Sequence, residues 1–267
     1  MVAGWGTRML PITKSIEKCM LPVGKRPVID YIVQDLRGAG ITDIYFVVGE
    51  QSTQLQSYYR TNIPLNDYLK RSGKQDLLPL VGAIKGLNTH FVVQTSTGKY
   101  GTSVPAGLVN EFIGSDEAAL YVNGDNFFYR TDGGSCAADL VALCTQKGTA
   151  AGLLSNEVRL EQIVRLGIVE KDAHGNFVRI VEKPAPGEVT SNLNNSGYYL
   201  FPKAIFELAT TLPANPKRNE YEITDAINAY VAQGNAIAVG VAQGAYMECG
   251  SVEGWLTANN HIVGSGA

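Results

Sequence analysis

Ala3-Gly4-Trp5-Gly6-Thr7-Arg8-Met9-Leu10-Pro11-Ile12-Thr13-Lys14 places two glycines, a hydroxyl and a guanidinium directly after what should be a first β-strand. Glycines let backbone N–H groups approach an anion without Cβ obstruction, and Arg8 offers a planar fork of donors for phosphate oxygens. On its own the Gly-x-Gly spacing reads more readily as a turn. A P-loop would need Gly-Lys-Ser/Thr at its end and a dinucleotide loop a third glycine, yet Met9 stands where that glycine belongs. Pro11 and Pro22 prevent one helix from absorbing the stretch, so Lys18 is expected in irregular structure beside the loop.

Working outward, short apolar β-branched runs at Ile44–Val48, His90–Gln94 and Ala119–Asn123 read as buried strands. Helical patterns lie between them, one with Val28, Ile29, Ile32, Val33 and Leu36 on a single face, another from Cys136 to Cys144. Alternation of this kind predicts an α/β fold with a doubly wound, mostly parallel mixed sheet. The second half changes character. Val164–Glu170 and Phe177–Glu182 read as a hairpin across the turn Asp172–Asn176, Tyr198–Phe201 as a further strand, and Ile205–Ala209, Ile223–Val231 and Trp255–Ile262 as helices. No linker or internal repeat divides the chain, which predicts one domain over 1–267, with residues 1–150 mainly binding nucleotide and 151–267, a smaller antiparallel subregion, mainly binding sugar. The crevice between the halves is the expected ligand site.

A formal charge of −3 gives no global basic field, which argues against nucleic acid or an anionic membrane as partner, and any phosphate must be met by a local cluster. The four cysteines form no CxxC pair, so neither a zinc site nor a disulfide framework is indicated, and a reducing cytoplasm is the expected location. No run approaches the roughly 20 apolar residues that span a bilayer. His90, His174 and His261 lack ligand spacing and are assigned to strand, turn and surface; Trp255 is assigned to core.

The long pattern Gly-x-Gly-Thr-Arg-Met-Leu-Pro-x-Thr-Lys, followed by Lys18-Cys19-Met20-Leu21-Pro22, closely resembles the bacterial glucose 1-phosphate uridylyltransferases and, more broadly, the sugar nucleotidyltransferases. The resemblance implies an enzyme that makes UDP-glucose and pyrophosphate from UTP and glucose 1-phosphate by in-line attack on the α-phosphorus. It implies that Ala3 and Gly4 lie against base and ribose, that Gly6, Thr7, Arg8 and Lys18 face the triphosphate, and that Gln94 and Gly101 contact the base. Asn123-Gly124-Asp125 resembles the family's metal segment, so Asp125 would hold Mg²⁺. On the sugar side Gly167, Glu182, Lys183 and Asn195 match hexose-contacting segments, with Lys183 expected at the 1-phosphate. Arg8, Lys18 and Asp125 are the expected catalytic set. Self-association is an expectation of the same kind.

Read in isolation, Asp125 is as easily a turn cap, Glu182-Lys183 a solvated hairpin edge and Gln94 a partner for a buried backbone group. Thymidylyl transfer, transfer to another sugar 1-phosphate and a non-catalytic nucleotide-sugar-binding subunit stay open as alternatives. Two departures from the family pattern matter. Glu248 stands where an Asp usually provides a second metal ligand; its extra methylene carries the carboxylate further out, and Mg²⁺ tolerates geometric error poorly. Only Met1-Val2-Ala3 precede Gly4, so either the true start lies upstream or the central strand is a stub that leaves unpaired backbone groups in the middle of the sheet, and a chain with a natural upstream extension is expected to be more stable.

Overall fold

The computed structural model describes residues 1–115 and 117–266. After the glycine loop come a small hairpin, β1 (Pro22–Val23) and β2 (Arg26–Pro27), then α1 (Val28–Gly38), β3 (Asp43–Gly49), α2 (Gln54–Tyr59), α3 (Ile63–Arg71) and β4 (Asn88–Gln94). The chain continues through α4 (Val104–Val109), β5 (Ala118–Val122), β6 (Asn126–Tyr129), α5 (Cys136–Lys147), β7 (Ala151–Glu157), β8 (Gly167–Lys171) and β9 (Phe177–Glu182). It ends with β10 (Leu193–Pro202), α6 (Lys203–Thr211), α7 (Ile223–Ala232), β11 (Ile237–Val241), β12 (Ala245–Glu248) and α8 (Val252–Gly264).

Burial explains the helices. α1 buries Val28, Ile29, Ile32, Val33 and Leu36, the face the sequence marks out. The carboxylate of Asp35, on the same helix, accepts hydrogen bonds from Cys136 N and Ala137 N at 2.8 and 3.2 Å, neutralising the positive end of α5. Ser135 caps α5 at the start through Ala138 N, and Gly148, left-handed at φ 63°, ends it. One apolar cluster gathers residues of α1, α5 and α8, a second those of α4, α6 and α7, so the sheet is covered on both faces.

β10 organises the sheet. Its residues Tyr198–Pro202 pair antiparallel with β5, Tyr199–Leu200 with β7, and Leu193–Asn194 with β7 and β8. β11 runs parallel to β7, and β3 parallel to β4. The register of β10 against β7 breaks between Asn195 and Tyr199, around Gly197 at φ 79°. Gly167 faces Glu182 across the hairpin as the antiparallel reading of Phe177–Glu182 requires. β8 starts later than the apolar pattern suggests, because Leu160–Arg165 winds into a 3₁₀ turn. Trp255 is half-buried rather than core, since its Nε1 must reach the carbonyl of Pro22, 2.7 Å away.

The expected central strand does not form ahead of the glycine loop, but the backbone of Met1 and Val2 does pair. The Met1 amine donates to Val122 O, Gly124 N to Met1 O and Val2 N to Val47 O, each at 2.9 Å. These bonds bridge the ends of β3 and β5. Below them, among the described residues, β3 pairs only with β4 and β5 only with β10, and a cavity of about 680 Å³ lies between, lined by Ile32, Val33, Ile44, Phe46, Leu120 and Phe206 among others. Among the described residues no helix is long and apolar enough to cross a membrane.

Candidate active site

The glycine loop turns at Gly6, whose φ is 64° and where a Cβ would stand 2.8 Å from the Thr13 methyl. Thr13 Oγ1 donates to Gly6 O at 2.9 Å, closing the loop on itself. Thr7–Met9 then forms a 3₁₀ turn whose fully buried Met9 anchors it, leaving Thr7 and Arg8 exposed on the outer side. Met9 is therefore a plug where a dinucleotide loop has glycine. A second fastening was not legible from the sequence. The Glu17 carboxylate accepts from Thr53 N and Gln54 N, both at 2.7 Å, and from Ser52 Oγ, while Glu17 N donates to Gln54 Oε1. This lock fixes the segment that carries Lys18.

Lys18 Nζ lies 2.6 Å from Asp125 Oδ2, the two side chains being 19% and 20% exposed. Burial pushes the Asp125 carboxyl up, but Lys18, by charge and hydrogen bond, and Arg8 outweigh it and hold the carboxyl below its usual range. The open side of Gly250 shows how the remaining groups converge: a Cβ there would meet Glu248 Oε1 at 2.6 Å, Arg8 Nη2 at 3.0 Å and Asp125 Oδ2 at 3.1 Å. Two carboxylates and a guanidinium thus share one cradle that only glycine leaves free. Glu248 is fixed there, accepting from Gly250 N at 2.9 Å and from Ser251 Oγ at 2.8 Å at the start of α8. Among the described residues no three His, Cys, Asp or Glu side chains converge as a metal set. The pair fits a hard cation whose shell is completed by ligand phosphates, the arrangement Mg²⁺ commonly takes.

Beside this cradle a cavity of about 120 Å³ is lined by Ala3, Gly4, Lys18, Gln94, Gly101 and Asp125, six of the residues picked out by sequence, with Tyr100 and Glu220. It opens toward a larger one of about 250 Å³ that shares Ala3, Gly4, Lys18 and Gln94 and adds Trp5, Lys14 and Lys99. Gln94 Oε1 is buried without a donor in the protein. At Gly101, with φ 134°, a Cβ would stand 2.2 Å from Tyr221 O, because Tyr221 N donates to Tyr100 O and Tyr221 O accepts from Ser103 N. Gly101→Ala is therefore expected to destabilise the fold by about 2–3 kcal/mol through strain and overpacking and to narrow the cavity that Gly101 lines; thermal melting checks the first.

The sugar-side residues form a second group. Gly167 leaves room for the Glu182 carboxylate, which would lie 2.7 Å from a Cβ at that position. Asn195, whose Oδ1 is buried without a donor, sits on the bulge of β10. Lys183, at φ 49°, donates its backbone N–H to Leu166 O, and the residue is exposed. The sequence reading missed Arg218. Its guanidinium lies 2.7 Å from Glu222, 3.7 Å from Glu182 and 3.8 Å from Glu220, which lines the smaller cavity. Burial raises the carboxyls of Glu182 and Glu222, the latter to about 7, with Arg218 opposing in both cases. The run Arg218-Asn219-Glu220-Tyr221-Glu222 was the available signal, a dense charge run directly before a helix start.

A doubly wound sheet with a glycine loop, two cations and a carboxylate pair gathered by its strand ends has the architecture of a nucleotide-binding α/β protein. The chain belongs to the nucleotidyl transferase family, whose profile matches residues 1–264. A UTP–glucose-1-phosphate uridylyltransferase of Pseudomonas aeruginosa is 31% identical over 265 residues, covering 97% of this chain and 92% of that protein. UTP-bound UGPase from Acinetobacter baumannii superposes with a TM-score of 0.84 at 27% identity, over 98% of this chain and 90% of that one. A UDP-glucose pyrophosphorylase complexed with UDP-glucose gives 0.81 at 26% identity, over 99% and 97%.

Proposed function

We propose that this chain is a UTP–glucose-1-phosphate uridylyltransferase that joins UTP to glucose 1-phosphate and releases pyrophosphate. The observation that carries this reading is the convergence of Ala3, Gly4, Gln94, Gly101, Lys18 and Asp125 on one cavity, with Arg8 and Glu248 beside it. Relatives named for this reaction, and similar structures holding UTP and UDP-glucose, support the choice of substrates.

In this reading the base lies against Ala3 and Gly4, and the buried Gln94 carbonyl accepts the imide N–H of uracil. Gly6, Thr7, Arg8 and Lys18 face the triphosphate. Glu182 and Asn195 meet hexose hydroxyls, Gly167 leaves the space, and Lys183 with Arg218 meets the 1-phosphate. An oxygen of that phosphate forms the new bond to the α-phosphorus while the bond to the bridging oxygen of pyrophosphate breaks. The attacking oxygen is already an anion, so no general base is needed, and the obstacle is bringing two polyanions together. Lys183 and Arg218 orient the acceptor; Arg8 and Lys18 stabilise the charge that passes to pyrophosphate. Asp125 and Glu248 would hold Mg²⁺, which when bound neutralises phosphate charge.

The test is pyrophosphate release with Mg²⁺ across UTP, dTTP, ATP, CTP and GTP, each with glucose, galactose, mannose and N-acetylglucosamine 1-phosphate. Release requiring both UTP and glucose 1-phosphate is expected. Preference for dTTP would assign the thymidylyl reaction, and binding of UDP-glucose with no release from any pair would assign a non-catalytic role.

A further inference from the structure

We infer that Lys18 is an exchangeable counter-cation for Asp125, which keeps a free divalent ion out of the site until a nucleotide triphosphate arrives to take the ammonium. The inference rests on the proposed reading of Asp125 as a metal carboxylate.

The oxygen of Asp125 that Lys18 holds at 2.6 Å is Oδ2, the same atom that turns to the open side of Gly250, where Glu248 Oε1 and Arg8 Nη2 also point. Charge at that cradle is balanced: two carboxylates face one ammonium and one guanidinium. A divalent ion entering alone must displace Lys18 from its acceptor and leave four positive charges against two negative. The carboxylates around the released ammonium are already engaged, Glu220, which lines the same cavity, with Arg218. Glu17, its nearest acidic neighbour in sequence, already accepts from Ser52, Thr53 and Gln54, and Glu248 already accepts from Gly250 and Ser251. In a half-buried site such an imbalance is costly. A triphosphate brings several negative charges at once, offers oxygens to Lys18 and Arg8, and so releases Asp125 Oδ2. Ion and triphosphate then enter as one unit, and the phosphates can be gripped by Lys18 only after it lets go of Asp125.

The measurement is the affinity for Mn²⁺ alone, followed by paramagnetic resonance of the free ion, with no nucleotide and no turnover. Lys18→Met is expected to bind Mn²⁺ about ten-fold or more tightly than the native chain, and Lys18→Arg, which keeps the charge, to bind it as weakly as the native chain. Lys18→Gln is a second neutral variant should the methionine variant melt early, and it should behave alike. Equal Mn²⁺ affinity in the native chain and a folded neutral variant overturns the inference, provided that Mn²⁺ with UTP still depends on Asp125. Should Asp125→Asn bind Mn²⁺ with UTP as the native chain does, both the inference and the assignment of Asp125 fail.

Discussion

Arg8→Ala is expected to lower the turnover of UTP and glucose 1-phosphate by about 10²- to 10³-fold, the usual loss when one donor aimed at a developing oxyanion is removed. Stability should hardly change. Arg8 is exposed, projects from a turn that buried Met9 anchors, and sits with its Nη2 at the cradle of Asp125 and Glu248. Removing an exposed guanidinium from two carboxylates costs little folding energy, because Lys18 still pairs with Asp125, and Glu248 still accepts from Gly250 and Ser251. Arg8→Lys should recover only part of the loss, since an ammonium offers a point charge where the guanidinium offers a planar fork. Steady-state pyrophosphate release and a melting curve on the same preparation decide the matter. A fall of several degrees together with the lost turnover would make Arg8 a structural residue, and near-native turnover would remove it from the mechanism.

β3 was legible because it is largely buried and reads as a continuous apolar run, Ile44–Val48, and α1 because it shows its apolar stripe openly; β4, read as buried from its apolar run, has no fully buried residue and leaves Val93 49% exposed. β6 and β12 were not legible. They are four residues each, carry polar residues such as Asn126 and Glu248, and exist because they pair with one another. Likewise β10 reads as a strand only from Tyr198 to Phe201, since Asn194, Asn195 and Ser196 break the apolar pattern; tertiary pairing with β7 and β8 carries the strand back to Leu193. The site divides in the same way. Ala3, Gly4, Lys18, Gln94, Gly101 and Asp125 could be picked out because loop chemistry at strand ends and a long motif mark them, and they meet at one cavity. Arg218 escaped because the charge run around it does not say what it pairs with, and Glu17 because nothing local marks it. Each matters through a partner far away in sequence, Glu182 for the first and Gln54 for the second.

A chain lengthened ahead of Met1 by five β-branched apolar residues should melt roughly 5–10 °C higher. The space between β3 and β5 is apolar on both sides, with Ile32 and Val33 from α1 on one and Phe206 from α6 on the other. A continuous Val/Ile run therefore suits it better than an alternating one. Burial of the added side chains and new ladder hydrogen bonds favour the strand, and the ordering of its backbone and side chains opposes it. A net gain of a few kcal/mol moves the midpoint by about 2–4 °C per kcal/mol in a chain of this size. A Gly/Ser extension of equal length should give no gain, and equal melting of the two lengthened chains would show that the space does not accept a strand. The same comparison carries a pH signature. The Met1 amine is buried; burial lowers it to about 6 from its ordinary 8.0, with Cys19 and Asp125 opposing. Between pH 6 and 8 the unfolded chain therefore holds a proton that the native chain has released, so stability rises with pH across that window, by about 2–3 kcal/mol in all. Lengthening replaces the amine with an amide that can still donate to Val122 O but does not titrate. The slope between pH 6 and 8 should then be shallower in the Val/Ile-lengthened chain, and groups common to both chains, Glu222 among them, cancel in the difference. A slope that survives lengthening unchanged would place its origin elsewhere than the Met1 amine.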